Sequence, residues 1–504
     1  MGLSKQLSMG RIIIKNCNVA ELDIPLKYAQ KLYKDFAVRH PNAFYLRTRT
    51  RGMQNWDGKV KFISKSGQFK LGLLQAVVDT LDSYGYKDVE LVDMRQPVPI
   101  VTKPVTAIGK YKLRPEQVGV LNSILHNKIN GKPFHIGVID ATVNFGKSLV
   151  MAAVYLSFKK ELKTLLITQD SDWLKQSKTE FKEYLPGEEI TFIQGSNVSN
   201  WNNFSIGMVQ SLSRNIRKYQ SELSKVDMVL VDEADLAGSK MYQNVITHLF
   251  NTRVRIGLSG TIYMSKLTKD RINNMTLESF FGKKLAEFRL SQSIQKGYST
   301  KTVVKMVPAK RWLKDFESEY YDYQGIYNDT ITENRISHKI VGDRLEYNIK
   351  YGRLPALVVC KLVKHAENLY TYLSNKLREY KIAVVHVNTP TKARNKIMED
   401  FRSGNIDILI STTIISRGKN FPLLRYMVIA GSMDSQERSI QFLGRLVRTH
   451  ESKKVAYLDD IHYPGDYLNR HGNHRKNYYK KEGLRVIELD KLWNKHPNNI
   501  PNFD

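Results

Sequence analysis

The chain has 504 residues, with 78 Lys and Arg against 49 Asp and Glu, a formal net charge of +29. A hydrophobic content of 42% excludes wholesale disorder, two cysteines exclude a disulfide scaffold or a multi-cysteine zinc site, and no apolar run reaches the ~18 residues of a membrane span. The opening segment, MGLSKQLSMGR, lacks the apolar core of a signal peptide and has Gln6 where myristoylation needs Ser or Thr, so the expected setting is a reducing cytoplasm and the expected partner a polyanion, nucleic acid above all.

Residues 1–107 carry 17 Lys and Arg against 9 Asp and Glu and read as a small basic α+β domain. A helix is expected over 25–38, a hairpin around Asp57-Gly58, and a second helix over 71–84. Closely spaced prolines mark 96–104 as a linker. Arg47, Arg49 and Arg51 alternate with Thr48 and Thr50. On a strand they share one face at a spacing of ~6.6–6.8 Å, close to that of successive phosphates. Lys59 and Lys61 would repeat the row across the hairpin. Such a ridge tracks a backbone without reading sequence; a solvated strand face fits the same pattern. Trp56 is placed either against a base or in the core.

From about residue 135 the chain alternates apolar runs with helical lengths. The runs are HIGVID (135–140), TLLITQ (164–169), MVLVDE (228–233) and RIGLSG (255–260). A second series follows: ALVVCK (356–361), AVVHVN (383–388), DILIST (407–412), YMVIAG (426–431) and VAYLDD (455–460). Continuous apolar runs suit strands buried on both faces, and helical spacers make them parallel. The expected fold class is α/β, with two tandem parallel-sheet domains over 108–305 and 306–460. The remaining 461–504 reads as a basic segment without a strong period.

The first run ends in Asp140-Ala-Thr-Val-Asn-Phe-Gly-Lys-Ser148, followed by the helical stretch LVMAAVYLSFKK. Ala141, Thr142, Val143, Asn144, Phe145, Gly146, Lys147 and Ser148 thus occupy the frame of a phosphate loop, with Ala at the first glycine position. Backbone N–H groups at a helix N-terminus hold phosphate oxygens. Lys147 reaches the β- and γ-phosphates, Ser148 ligates Mg²⁺, and Gly146 permits the turn. Asp232-Glu-Ala-Asp235 follows MVLV at a strand's carboxyl end, where ligands bind in parallel sheets. There Asp232 would hold Mg²⁺ and Glu233 would orient and deprotonate the attacking water. Arginines at 445 and 448, i and i+3 on a helix, supply always-charged donors for transition-state phosphoryl charge.

In this order the motifs resemble superfamily 2 helicases over roughly 110–450, which implies RecA-like motor domains. By that resemblance Arg114-Pro-Glu-Gln117 is the adenine-reading element, Ala141–Ser148 motif I, and Asp232–Asp235 motif II. Ser259-Gly260-Thr261 resembles motif III, coupling hydrolysis to domain movement. Thr412 to Gly418 resembles motif V, with Gly418 on the nucleotide side and Thr412 on the DNA side with Gln210 and Ser211. Gln441-Phe-Leu-Gly-Arg445-Leu-Val-Arg448 resembles motif VI, which makes both arginines fingers and places Gln441 by the γ-phosphate. Ser-Gly-Thr and Gln441 stand where RNA-directed DEAD-box proteins usually carry Ser-Ala-Thr and His. Gln54-Asn-Trp-Asp-Gly-Lys59, Lys70-Leu-Gly-Leu-Leu and Tyr84-Gly-Tyr86 are similar to the accessory domain of phage recombination helicases.

The resemblance implies an ATP- and Mg²⁺-dependent DNA helicase acting on forked, branched or partly single-stranded DNA, 3′ to 5′, in recombination, replication and repair, and expected to be a monomer. Val143-Asn-Phe145, the Thr168-Gln169-Asp170 stretch and Arg417-Gly-Lys-Asn-Phe421 depart from the common patterns. Two alternatives stay open: an RNA helicase, invited by Asp232-Glu-Ala-Asp235, and a nucleic-acid-binding protein with a degenerate ATP site, motivated by Val143-Asn-Phe145. His471 and His474 lack a third ligand, so no metal site is expected there. Cys17 and Cys360 are expected to be buried thiols.

Overall fold

Apolar runs become strands wherever both faces are covered. The computed structural model describes residues 10–489 apart from 51, 88, 96–101, 159–161, 197, 199, 263–267, 312, 314–321, 417–420 and 435. Arg51, most of the proline linker and Gly418 lie outside the described residues. The chain divides into two compact units, Met1–Phe288 and Arg289–Asp504.

Unit one opens with a four-stranded sheet, β1 (Gly10–Ile14), β2 (Val19–Asp23), β5 (Gln68–Lys70) and β6 (Val89–Asp93), in the order β5-β2-β1-β6. Helices α1 (Leu26–Asp35) and α3 (Leu74–Ser83) accompany it. Strand β3 (Ala37–Arg39) pairs antiparallel with β4 (Lys59–Lys61), and the intervening residues include a short helix, α2 (Ala43–Arg49). The expected arginine ridge is therefore corrected: Arg47 and Arg49 are helical, nearly opposite one another around the axis. Ala43 and Leu46 are the inward pair of α2, and the Thr48 hydroxyl donates back to the Phe44 carbonyl at 3.1 Å. The expected hairpin is corrected too, because the partner of 59–61 is 37–39.

The second sheet of unit one is fully parallel. Its strands are β7 (Ile136–Ala141), β8 (Thr164–Thr168), β9 (Ile190–Ile193), β10 (Phe204–Met208), β11 (Met228–Asp232), β12 (Val254–Ser259) and β13 (Lys284–Phe288), ordered β9-β10-β8-β11-β12-β7-β13. Every residue of β7, β8, β11 and β12 is buried, as helices on both faces require. The N-terminal sheet is welded to this one. Arg255 of β12, 1% exposed, donates to the carbonyls of Cys17 and Phe280 and to Asn18 Oδ1. A Cβ on Gly72 would stand 2.2 Å from the Glu278 carbonyl of α6 (Thr268–Phe281). Ile136 belongs to the same apolar cluster as Ile12, Leu74 and Leu91.

Unit two holds another parallel seven-stranded sheet: β14 (Lys301–Pro308), β15 (Ala356–Val359), β16 (Ile382–Val385), β17 (Ile408–Ser411), β18 (Tyr426–Ile429), β19 (Val455–His462) and β20 (Arg485–Glu488), ordered β16-β17-β15-β18-β19-β14-β20. A boundary at 305/306 would cut β14, which pairs along its length with β19. The 461–504 segment is likewise not a separate tail. It supplies α10 (Asp466–Lys481) and β20, which pairs with β14. Adjacent aspartates of β19 point to opposite faces. Asp459 accepts from Arg344 of α7 (Arg335–Lys350) at 2.6 Å, and Asp460 from Arg475 of α10 at 2.6 and 2.7 Å.

Candidate active site

In unit one, β7 ends at Ala141 and α5 (Lys147–Ser157) begins six residues later, so 142–146 joins a strand's carboxyl end to a helix N-terminus. Asn144 and Gly146 are left-handed, at φ +64° and +80°. Gly146 adopts that without steric cost, and a Cβ there would meet Gln117 Nε2 at 2.8 Å. The first turn of α5 keeps backbone donors free of helical partners, the arrangement that accepts phosphate. Lys147 Nζ lies 3.5 Å from the Ala141 carbonyl, and Ser148 is half-buried beside it. Phe145 does not crowd the loop: its ring is 1% exposed and packs 5.0 Å from that of Phe288. The bulk of Phe145 is thus no reason to read the site as degenerate.

Gln117 and Arg114 brace this loop. Gln117, 2% exposed, accepts from the Arg114 backbone at 2.9 Å and donates to the Phe145 carbonyl at 2.7 Å. Arg114 Nη1 donates to the Asn144 carbonyl at 3.0 Å.

The carboxylates come from β11, separated from β7 by β12. Asp232 is buried, and its Oδ1 has no hydrogen-bond partner among the described residues. Burial pushes the Asp232 carboxyl up, and the Lys147 charge pulls it back. An unsatisfied buried carboxylate oxygen fits a hard cation, so Asp232, with Ser148 at the start of α5, would hold Mg²⁺. Glu233 takes φ +52°. Left-handed backbone outside glycine is strained and concentrates at functional sites. Asp235 accepts a short hydrogen bond from the Ser259 hydroxyl, which lies 2.9 Å from Thr261 Oγ1. Motifs II and III are thus joined side chain to side chain, with Gly260 between.

In unit two, Gln441 and Arg445 are half-buried on α9 (Gln436–Leu446). The helix stops at Leu446, so Arg448 lies beyond it and the expected i, i+3 helical pair is corrected. The carbonyls of Val447 and Arg448 accept from Thr300 N at 2.8 Å and Thr300 Oγ1 at 2.9 Å instead. Lys453 Nζ caps the end, donating to the Leu446 carbonyl at 2.9 Å. Burial drops the Lys453 amine to about 8. Thr412 is buried just past β17 and donates from its N–H to the Val385 carbonyl at 3.2 Å.

The remaining expected contacts are dispersed. Arg47, Arg49 and Lys59 are exposed, as are Phe44 and Tyr45 on the same helix α2. Trp56 is half-buried and donates its indole N–H to the Lys59 carbonyl at 2.9 Å. Lys61 is ion-paired with Asp57 at 2.8 Å. Gln210 donates to the Gln169 carbonyl at 3.1 Å, and the Ser211 hydroxyl accepts from Gly195 N at 2.8 Å, so both brace loops of unit one. His471 stands 3.2 Å from the Ser432 hydroxyl, and burial drops it to about 4; His474 Nδ1 is 2.7 Å from Asp434. Cys17 and Cys360 are buried free thiols. Sequence reasoning missed Lys453, and also Lys284, which is ion-paired at 2.8 Å with buried Asp140 just before the loop. Single lysines outside a motif carry no signal that would find them.

Residues 110–264 match the family described as type III restriction enzyme, res subunit, and residues 343–450 match the helicase conserved C-terminal domain. The ATP-dependent DNA helicase uvsW of Enterobacteria phage T4 is 22% identical over 459 residues, 87% of this chain and 88% of that protein. Putative helicase 22 of Sulfolobus islandicus filamentous virus is 22% identical over 70% of this chain and 65% of its own length. The fragment structure of a putative HsdR subunit of a type I restriction enzyme from Vibrio vulnificus YJ016 shares the fold, with a TM-score of 0.57 at 16% identity, covering 74% of this chain and 68% of that one. Among the described residues no helix is long and apolar enough to cross a membrane. With two parallel seven-stranded sheets, a strand-loop-helix phosphate site and both family matches in place, the chain is an ATP-dependent helicase similar to those of superfamily 2.

Proposed function

We propose that the chain is an ATP-driven DNA helicase that remodels branched DNA, regressing forks, migrating Holliday junctions and displacing strands, with 3′ to 5′ movement. The observation that carries this reading is the likeness to the phage T4 DNA helicase, which covers 87% of this chain and 88% of that protein. Lys147 binds the terminal phosphates and Glu233 orients the attacking water and takes its proton. Mg²⁺ held by Ser148 and Asp232 would neutralise phosphate charge. Arg445 and Arg448 supply the guanidinium charge for the transition state, with Gln441 beside the γ-phosphate and Gly418 on the nucleotide side. Gln117 and Arg114, already holding the loop, read the adenine edge. Ser259, Gly260 and Thr261 pass the hydrolysis state onward through Asp235.

On the DNA side the reading assigns the exposed face of α2, where Arg47 and Arg49 flank Phe44 and Tyr45, together with Lys59, Lys61 and Trp56, with Gln210 and Ser211 of unit one and Thr412 of unit two, and with Arg51, which lies outside the described residues. Cationic and aromatic groups together hold strands without sequence preference, and binding of this kind weakens steeply with salt.

The test compares ATPase stimulation by forked DNA, by tailed duplex and by RNA, followed by unwinding of forks and Holliday junctions. Forked DNA is expected to stimulate most. Lys147→Ala and Glu233→Gln are expected to lower DNA-stimulated turnover by about 10³-fold or more. Full activity in either variant overturns the assignment, and preferential stimulation by RNA overturns the DNA reading.

A further inference from the structure

The sheet of unit two reverses direction between β14 and β19. From β14 the chain departs towards β15, while from β19 it passes through α10 to β20 on the far side of β14. In open parallel sheets such a reversal leaves a crevice outside the strands' carboxyl ends, where ligands bind. A cavity of about 290 Å³ lies there, lined by Pro308 at the end of β14 and Lys310 after it, His462 at the end of β19 and Pro464 after it, and Asn473 and Lys476 of α10. That volume is at the small end of ligand pockets.

Its walls are organised. His462 Nε2 is 2.8 Å from Asn469 Oδ1, which also accepts from Asn473 Nδ2 at 3.2 Å. Gly472 makes room for this ladder, since a Cβ there would stand 2.3 Å from the His462 ring. A glycine inside a helix is unfavourable, and here the freed space is filled by the imidazole that forms the wall. Glu488, also lining the cavity, accepts from Lys476 at 3.2 Å and Lys480 at 3.3 Å, so it gathers two cations at the rim. Side-chain amides offer both donors and acceptors, the prolines offer flat apolar faces, and the lysines offer charge. A planar group with a polar edge and an attached anion matches all three.

We propose that this cavity binds one nucleotide unit, its base edge on the Asn469 and Asn473 amides and its phosphate at Lys310 and Lys476. The nucleotide belongs either to a nucleic-acid strand or to a free mononucleotide. The strand source rests on the reading of the chain as a DNA helicase. It is favoured by spacing: Thr412, at the carboxyl end of β17, is three strand steps from β19, ~14 Å at 4.7–4.9 Å per step, the reach of about two phosphates.

The test measures binding of a fluorescent thymidine oligonucleotide, competition by dTMP, and photocrosslinking of an iododeoxyuridine-substituted strand. Asn473→Trp fills the cavity and Lys310→Ala removes a cation without touching the ATP loop. Each is expected to weaken the oligonucleotide roughly tenfold while ATPase without DNA and the melting temperature stay at wild-type values, and crosslinks are expected within 462–476. Competition by dTMP that both variants lose, without such crosslinks, assigns the site to free nucleotide. Wild-type affinity of both variants for oligonucleotide and dTMP overturns the proposal. A wild-type protein that binds dTMP here and no DNA at all overturns the helicase reading and leaves the cavity assignment standing.

Discussion

Phe145 occupies a place where a phosphate loop has least room, and the fold solves this by turning the ring inward onto Phe288. Its bulk therefore serves stability and leaves the backbone to the ligand. Phe145→Ala is expected to cost ~3–5 kcal/mol in denaturant unfolding, while turnover per folded molecule falls far less than in Lys147→Ala; equal losses of turnover would refute the inward role. A second residue-scale expectation concerns His365, fully buried on α8 (Val363–Lys376) with neither ring nitrogen hydrogen-bonded among the described residues. Burial drops its pKa to about 3 from an ordinary 6.5. The unfolded chain takes up the proton first, so stability is full above pH 6.5 and falls as pH drops towards about 3, by ~1.4 kcal/mol per unit. His365→Leu is expected to shrink the loss between pH 7.5 and 5.5 by about that amount, read from melts at the two pH values.

At the scale of elements, the paired aspartates of β19 fix the helices on both faces of one sheet. Asp460→Asn leaves Arg475 buried without its counter-charge and is expected to destabilise by ~3–5 kcal/mol, whereas replacing both partners by apolar residues recovers most of that; unfolding midpoints of the single and double variants decide it. The same helix shows why parts of the sequence resist reading. The inward face of α10 is Leu468, His471, Gly472, Arg475, Tyr478 and Tyr479, a regular helical stripe written mostly in polar and aromatic letters. Hydropathy cannot see it, so 461–504 reads as a tail. The arginine–threonine alternation misleads in the opposite sense: period two suggests a strand, but Ala43 and Leu46 set a helix. By contrast the apolar runs and the phosphate loop are legible because burial on both faces and phosphate chemistry each permit few residue types.

At the scale of the molecule, the N-terminal module is a rigid part of unit one. Asp93 adds an ion pair to Arg253 at 3.6 Å beside the Arg255 bonds. Arg255→Ala and Gly72→Val are each expected to lower the melting temperature and to open the module to limited proteolysis before the rest of unit one; protection equal to wild type would contradict the weld. Strand β12 carries Arg255 near its start and Ser259 at its end, so the piece that seats the module also seats motif III.

That shared strand constrains how such a protein can change over time. A lineage trading its first hundred residues for another accessory domain would bare Phe280 and leave the Arg255 guanidinium without two of its three acceptors, the Cys17 carbonyl and the Asn18 side-chain oxygen. The exchange would have to be accompanied by rewriting of β12 itself, four residues from Ser259 and its bond to Asp235. Accessory domain and motor are in this sense inherited together.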